Sequence, residues 1–192
     1  MVLIIKKGGS ILLKKFGIGD YKSTKWSGGI TTELYIYPEN SSYKDRNFNF
    51  RVSMATTEIP NSTFTLLPDI HRYISILEGK IFIEHKNHGH VTLLPHMIHS
   101  FEGDWETSAK GKVTDFNLML KNCQGTLEFI GIQNFETEIE NPHILFVFCI
   151  EGVVNIGDLT LHPHEIAVAE NENITISGEN AKLYIGKIFH IK

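Results

Sequence analysis

Apolar and polar residues alternate along most of this 192-residue chain, and no stretch sustains helical spacing. The clearest writing runs from Asp69 to Asp104. Tyr73, Ser75 and Leu77 fall on one side of the alternation, and Arg72, Ile74, Ile76 and Glu78 on the other. Period-two patterning rich in β-branched and aromatic residues predicts a strand. Gly79 predicts a bend into a second strand, Lys80 to His85, with Ile81, Ile83 and His85 on one face. Lys86–Gly89 is turn chemistry, and Val91 to Leu94 returns as a strand stopped by Pro95. Upstream, Leu34–Tyr37 is a strand ended by Pro38, and Phe48 to Thr56 puts Arg51, Ser53 and Ala55 together on one face. Downstream, Val113, Asp115, Asn117 and Met119 share a face, and Thr126–Ile132 is a further strand. The polar run Asn134 to Pro142 reads as a boundary, after which Ile144–Gly157 and Leu161–Val168 repeat the strand, Glu-Gly bend, strand, Pro design. Ile76-Leu77-Glu78-Gly79 and Cys149-Ile150-Glu151-Gly152 mark a weak repeat of about seventy residues.

Strand, Leu-Glu-Gly bend, strand, turn, strand and Pro resembles one half of a cupin, a small double-sheet barrel. Two copies imply an all-β bicupin, two double-stranded β-helix (jelly-roll) barrels in one chain. The expected division is 1–130, an N-terminal barrel with the ligand pocket, and 131–192, a C-terminal cupin-like barrel. The extreme N-terminal strand is free to pair with the second. Cupins usually hold a metal with two His and a Glu before the glycine and a His after the proline. Here Arg72 stands at the Glu position, seven residues before Gly79, and no His lies among Thr65 to Pro68. The last His position falls on Ser100, with His99 one residue off. An arginine there repels a cation and attracts an anion. The expected ligand is therefore anionic or zwitterionic, with no metal and no cofactor. In the second copy the corresponding position is Leu145, which predicts an apolar plug.

Charge and composition narrow the partners. A net charge of −4 argues against non-specific nucleic-acid binding. The N-terminal apolar run is too short for a signal peptide or span, and later runs are short too. Two cysteines, Cys123 and Cys149, make no disulfide framework and fit buried thiols in a reducing cytoplasm. Among the ten His, the groups His85/His88/His90, His96/His99 and His162/His164 read as polar surface around turns. No nucleophile elbow is present, and Cys123 has no neighbouring base in sequence.

Several landmarks in series are similar to the HutD/Ves family, small bicupins found with bacterial histidine-utilisation genes. They are Trp26 with Gly28, Gly29, Thr31 and Glu33; Phe50-Arg51-Val52-Ser53-Met54-Ala55; and His71-Arg72-Tyr73 with Leu77-Glu78-Gly79. Phe101-Glu102-Gly103-Asp104 and Asp115-Phe116-Asn117-Leu118-Met119 complete the set. One departure is that the family commonly has Trp-Lys-Asn before a glycine run, where this chain has the shorter Trp26-Ser27-Gly28-Gly29. The resemblance implies binding of a small metabolite of histidine breakdown, such as urocanate or formylglutamate, in a regulatory role. The expected site is Arg72 and Arg51 for the carboxylate, with Ser53, Thr31, Asp115 and Asn117 reading polar groups. Trp26, Phe101 and Met119 are its apolar walls, Gly28 and Gly29 its turn, and Glu33 and Asp104 complete the ligand-binding set. No residue is expected to be catalytic. Two competing readings stay open: a lyase or isomerase acting on an amino-acid derivative in the same pocket, and an interaction protein with a filled barrel. A homodimer is also left open.

Overall fold

The computed structural model describes residues 3–7, 10–140, 143–171 and 173–191. Strands dominate throughout. Among the described residues the one helical element is a 3-10 turn at Ile18–Asp20. The strands in chain order are β1 (Leu3–Lys7), β2 (Ser10–Phe16), β3 (Lys22–Trp26), β4 (Gly29–Tyr37), β5 (Phe50–Thr57) and β6 (Asn61–Thr63). They continue as β7 (His71–Gly79), β8 (Ile81–His85), β9 (Gly89–Leu93), β10 (Ile98–Glu102), β11 (Thr107–Lys110) and β12 (Val113–Leu120). The last five are β13 (Gln124–Ile139), β14 (Ile144–Ile156), β15 (Leu159–Leu161), β16 (Ile166–Glu170) and β17 (Ile174–Phe189).

Residues Lys22–Asn122 form one compact unit. It has a six-stranded sheet ordered β10-β7-β12-β5-β4-β3 and a four-stranded sheet ordered β6-β11-β8-β9. Alternation decides what each strand buries: Ile74 and Ile76 of β7 meet Ile81 and Ile83 of β8, Leu93 of β9, Ala109 of β11 and Phe101 of β10 in one apolar cluster. Removing these side chains from water at about 25 cal/mol per Å² is what holds the two sheets face to face. A second cluster, Ile36, Phe48, Leu67, Ile70 and Met119, fills another part of the unit.

Met1–Tyr21 and Cys123–Lys192 form the other unit. Its sheet runs β1-β2-β16-β14-β17-β13, with β15 on β14. This departs from the expected division at 130. β13 crosses that point as one strand, laddered to β17 from Gln124↔Phe189 to Ile139↔Ile174, and β2 pairs with β16. The polar run from Asn134 is accordingly strand up to Ile139, with exposed Glu136 and Glu138 alternating with partly buried Phe135 and buried Ile139. Leu145 is buried in the apolar core of this unit, beside Val147, Cys149 and Leu183. Gly79 and Gly152, the two repeat landmarks, both take positive φ, 91° and 76°. A Cβ would come within 2.6 Å of the Lys112 carbonyl at Gly79 and 2.4 Å of the Asn180 carbonyl at Gly152. Both bends need a residue without a side chain. Cys149 is buried, Cys123 half-buried, and neither forms a disulfide.

Candidate functional site

The antiparallel registers of the six-stranded sheet bring scattered polar residues onto one face. Met119 lies opposite both Arg51 and Arg72, and Arg72 lies opposite Phe101. Asn117 lies opposite Ser53 and Ile74, Ile74 opposite His99, and Ser53 opposite Glu33. Asp115 lies opposite Ala55, which lies opposite Thr31. Because these residues share the inward parity of Ile74 and Ile76, they are turned away from water. Arg51, Ser53, Arg72, Asp115 and Asn117 are all buried.

Within this strip the two arginines are treated differently. Arg51 Nε donates to Glu33 Oε2 at 2.7 Å, its Nη1 donates to Ser53 Oγ at 3.1 Å, and Tyr43 covers its face at 4.5 Å. Arg72 has no such partner. Its Cζ sits 5.0 Å from the Phe64 ring centre and 4.9 Å from that of Phe101, and its buried Nε makes no hydrogen bond among the described residues. Burial pulls the Arg72 pKa down to about 10, partly offset by Tyr43 and Asp115, which leaves it charged at neutral pH. Asp115 accepts from Asn117 Nδ2 through Oδ1. Burial pushes the Asp115 carboxyl up to about 7, against the pull of Asn117 and Arg72. With Arg51 and Glu33 paired, Arg72 forms no ion pair at contact distance among the described residues, and Asp115 is the carboxyl whose charge acts on it. Burying a charge without a close ion pair costs several kcal/mol.

Beside it lies a pair of imidazoles. His85 is buried, with Nδ1 2.8 Å from Thr107 Oγ1 and Nε2 2.9 Å from His99 Nε2. Phe101 packs against His85 at 4.8 Å and His99 at 5.8 Å. The turn-surface expectation for these two histidines is overturned. His85 takes the inward parity of Ile81 and Ile83, and His99 that of Phe101, because β10 pairs with β7 in the register Phe101↔Arg72. That same register leaves Ser100 exposed, so the residue aligned with a cupin's last metal ligand does not face inward. Alternation in β8 already joined His85 to Ile81 and Ile83; that signal was outweighed by the neighbouring turn. His88 and His90 are exposed, as a turn predicts. Among the described residues, no three His, Cys, Asp or Glu side chains gather to hold a metal.

Not every expected site residue joins the strip. Trp26 and Gly29 close a two-residue hairpin through Ser27 and Gly28, and Trp26 is 39% exposed. A Cβ on Gly28 would strike the Trp26 ring at 2.2 Å and Ile59 at 2.6 Å; one on Gly29 would strike the Thr56 carbonyl at 1.7 Å. These glycines serve close packing, and register sets Gly29 opposite Thr57, beyond the Thr31 rung and away from the arginines. Asp104 is exposed on the turn after β10. Beside it in the motif, Gly103 is buried, and its N–H donates to the Ile70 carbonyl at 2.8 Å while its carbonyl accepts from Leu67 N–H at 2.6 Å. Met119 packs into the apolar cluster with Phe48, Leu67 and Ile70, on the rung between Arg51 and Arg72. Thr31 is half-buried on the strip's face. A groove of about 760 Å³ is lined by Phe64, which packs on Arg72, and by His85, but none of Arg51, Ser53, Arg72, His99, Phe101, Asp115 or Asn117 lines it.

A buried polar strip inside two facing antiparallel sheets defines an all-β, cupin-like protein. Solved structures agree on the fold. A conserved protein of unknown function from Pseudomonas aeruginosa PAO1 superposes with a TM-score of 0.80 at 18% identity, over 92% of this chain and 98% of that one. HutD from Pseudomonas fluorescens SBW25 gives 0.75 at 21% identity, over 92% and 98%. The bacterial pirin YhhW from Escherichia coli, in complex with nickel(II), gives 0.67 at 8% identity, over 92% and 98%. The HutD family model matches residues 19–185, and the chain belongs to the HutD family. Among the described residues no helix is long and apolar enough to cross a membrane.

Proposed function

We propose that this chain is a metal-free bicupin whose 22–122 unit receives a small carboxylate-bearing metabolite, with Arg72 as the principal anion reader. The observation that carries the reading is a buried guanidinium, seated between Phe64 and Phe101, whose Nε makes no hydrogen bond and which forms no ion pair at contact distance among the described residues. Arg51, held by Glu33 and Ser53, supports the positive field, and Asp115 with Asn117 supplies directional polar contacts. Family membership supports a regulatory role in the use of histidine or related amino acids, carried out in the cytoplasm. Calorimetry and thermal shift against histidine, urocanate, formylglutamate and simple carboxylates test this. Binding that disappears in a folded Arg72→Gln variant supports the reading. Absence of binding by every acid overturns it in favour of a filled barrel.

A second reading rests on Asp115. A carboxyl raised to about 7 in the same strip is matched to acid–base chemistry near neutral pH. Turnover of a bound acid that is lost in Asp115→Asn, with binding retained, would make the protein an enzyme.

A further inference from the structure

The groove stops short of the polar strip. Arg72 is buried and does not line it, yet the groove wall includes Phe64, whose ring centre is 5.0 Å from the Arg72 guanidinium carbon. A solute in the groove therefore meets that guanidinium after a side chain has moved. Three side chains pack about this spot, and they are held differently. Phe101 is buried in the apolar cluster with Ile74, Ile76 and Leu93. His85 is buried too, with Thr107 Oγ1 2.8 Å from one ring nitrogen and His99 Nε2 2.9 Å from the other. Phe64 is half-buried, and its ring rests on Phe101 at 5.8 Å and on the Arg72 cation at the rim of that cluster. No hydrogen bond can hold a phenyl ring. Two ring contacts favour the closed position by on the order of ten-fold to a hundred-fold, small enough for an open rotamer to be visited.

The backbone beside this ring is fixed. Phe64 N–H donates to the Thr107 carbonyl at 2.9 Å, and Leu67 N–H to the Gly103 carbonyl at 2.6 Å. Opening is then a rotation of the ring about its own side-chain bonds and needs no loop movement. Between those anchors Leu66 stands on the groove wall, 53% exposed. A displaced ring that covers Leu66 removes apolar surface of both from water, which offsets part of the contacts given up. We propose that the groove is the entrance to the polar strip and that the Phe64 ring is the gate between it and Arg72, resting on Leu66 when open. The inference takes what passes through from the receptor reading above, and adds the path and the residue that controls it.

Phenylglyoxal, which modifies the guanidinium groups it can reach, tests the gate with no ligand present. Peptide mass spectrometry of the full chain follows the rate at each arginine, with Arg46 as the reference. Because that rate scales with the open fraction, Phe64→Ala should speed modification of Arg72 about ten-fold, and Leu66→Ser should slow it about three-fold. Tyr43→Ala uncovers Arg51 instead and should leave the Arg72 rate unchanged. Circular dichroism confirms that each variant is folded, and Phe64→Leu carries the same expectation as Phe64→Ala should the latter fail to fold. An Arg72 rate unchanged by loss of the Phe64 ring, or unchanged in Leu66→Ser, overturns the proposal, as does equal acceleration by Tyr43→Ala. If the phenylglyoxal rates follow the gate while no acid binds, the receptor reading falls and the gate stands; if acids bind and the rates do not follow it, the gate falls alone.

Discussion

Arg72 stands directly opposite Phe101 across the β7–β10 pairing, with its guanidinium carbon 4.9 Å from the ring centre. The ring offers its electron-rich face to the cation, a contact worth about 0.5–2 kcal/mol, but it cannot neutralise the charge. The arrangement trades stability for readiness to bind. Arg72→Met should therefore leave the unliganded protein equally stable, or more stable by about 1 kcal/mol, while abolishing carboxylate-induced thermal shifts. Urea denaturation with and without ligand checks both halves.

Arg51 should behave in the opposite way. Its Nε–Glu33 contact of 2.7 Å is largely screened from water, at 7% and 17% side-chain exposure. Glu33→Gln leaves the cation without its counter-charge and should cost about 1–3 kcal/mol of stability, less than a fully buried pair would. The double variant Glu33→Gln/Arg51→Met should recover part of that loss in denaturant titrations.

Two buried groups predict opposite pH slopes. Asp115 is raised from 3.8 to about 7, so between those values the folded state holds a proton that the unfolded state has released. Its contribution is full at low pH and is lost as pH rises through about 7. Asp115→Asn should thus be more stable than the parent at about pH 8, by on the order of a few kcal/mol at most. His85 is lowered from 6.5 to about 4, by burial first and by His99, His88 and Arg72 next. Its contribution is full above 6.5 and is lost as pH falls through about 4. His85→Phe should flatten that acid limb. Denaturation midpoints across about pH 4 to pH 8 read both slopes.

The Phe101-Glu102-Gly103-Asp104 motif is structural at its glycine. A Cβ on Gly103 would lie 2.3 Å from the Leu67 carbonyl and 2.8 Å from that of Ile70. Gly103→Ala should cost about 2–4 kcal/mol, whereas Asp104→Ala, on an exposed turn, should stay within about 0.5 kcal/mol. Thermal unfolding of the two variants provides the comparison.

Local alternation was enough to mark the central strands β5, β7, β8, β9 and β12, the faces of their residues, the glycine bends and the inward orientation of Arg72, because side-chain direction in a strand follows parity alone; the short strands β3, β6, β10 and β11 carried no such signal. Arg51 with Ser53 and Asp115 with Asn117 were legible as same-face pairs for that reason. Which strands become neighbours is a matter of long-range pairing, and parity says nothing about it. Only the β12–β5–β4 register gave Glu33 to Arg51 and left Arg72 without an ion pair at contact distance among the described residues. Only the approach of β8 and β10 across the core joined His85 to His99, residues that the turns beside them had marked as surface. The long ladder of β13 with β17 likewise moved the unit boundary, since paired backbone outweighed a polar run that by itself reads as a linker.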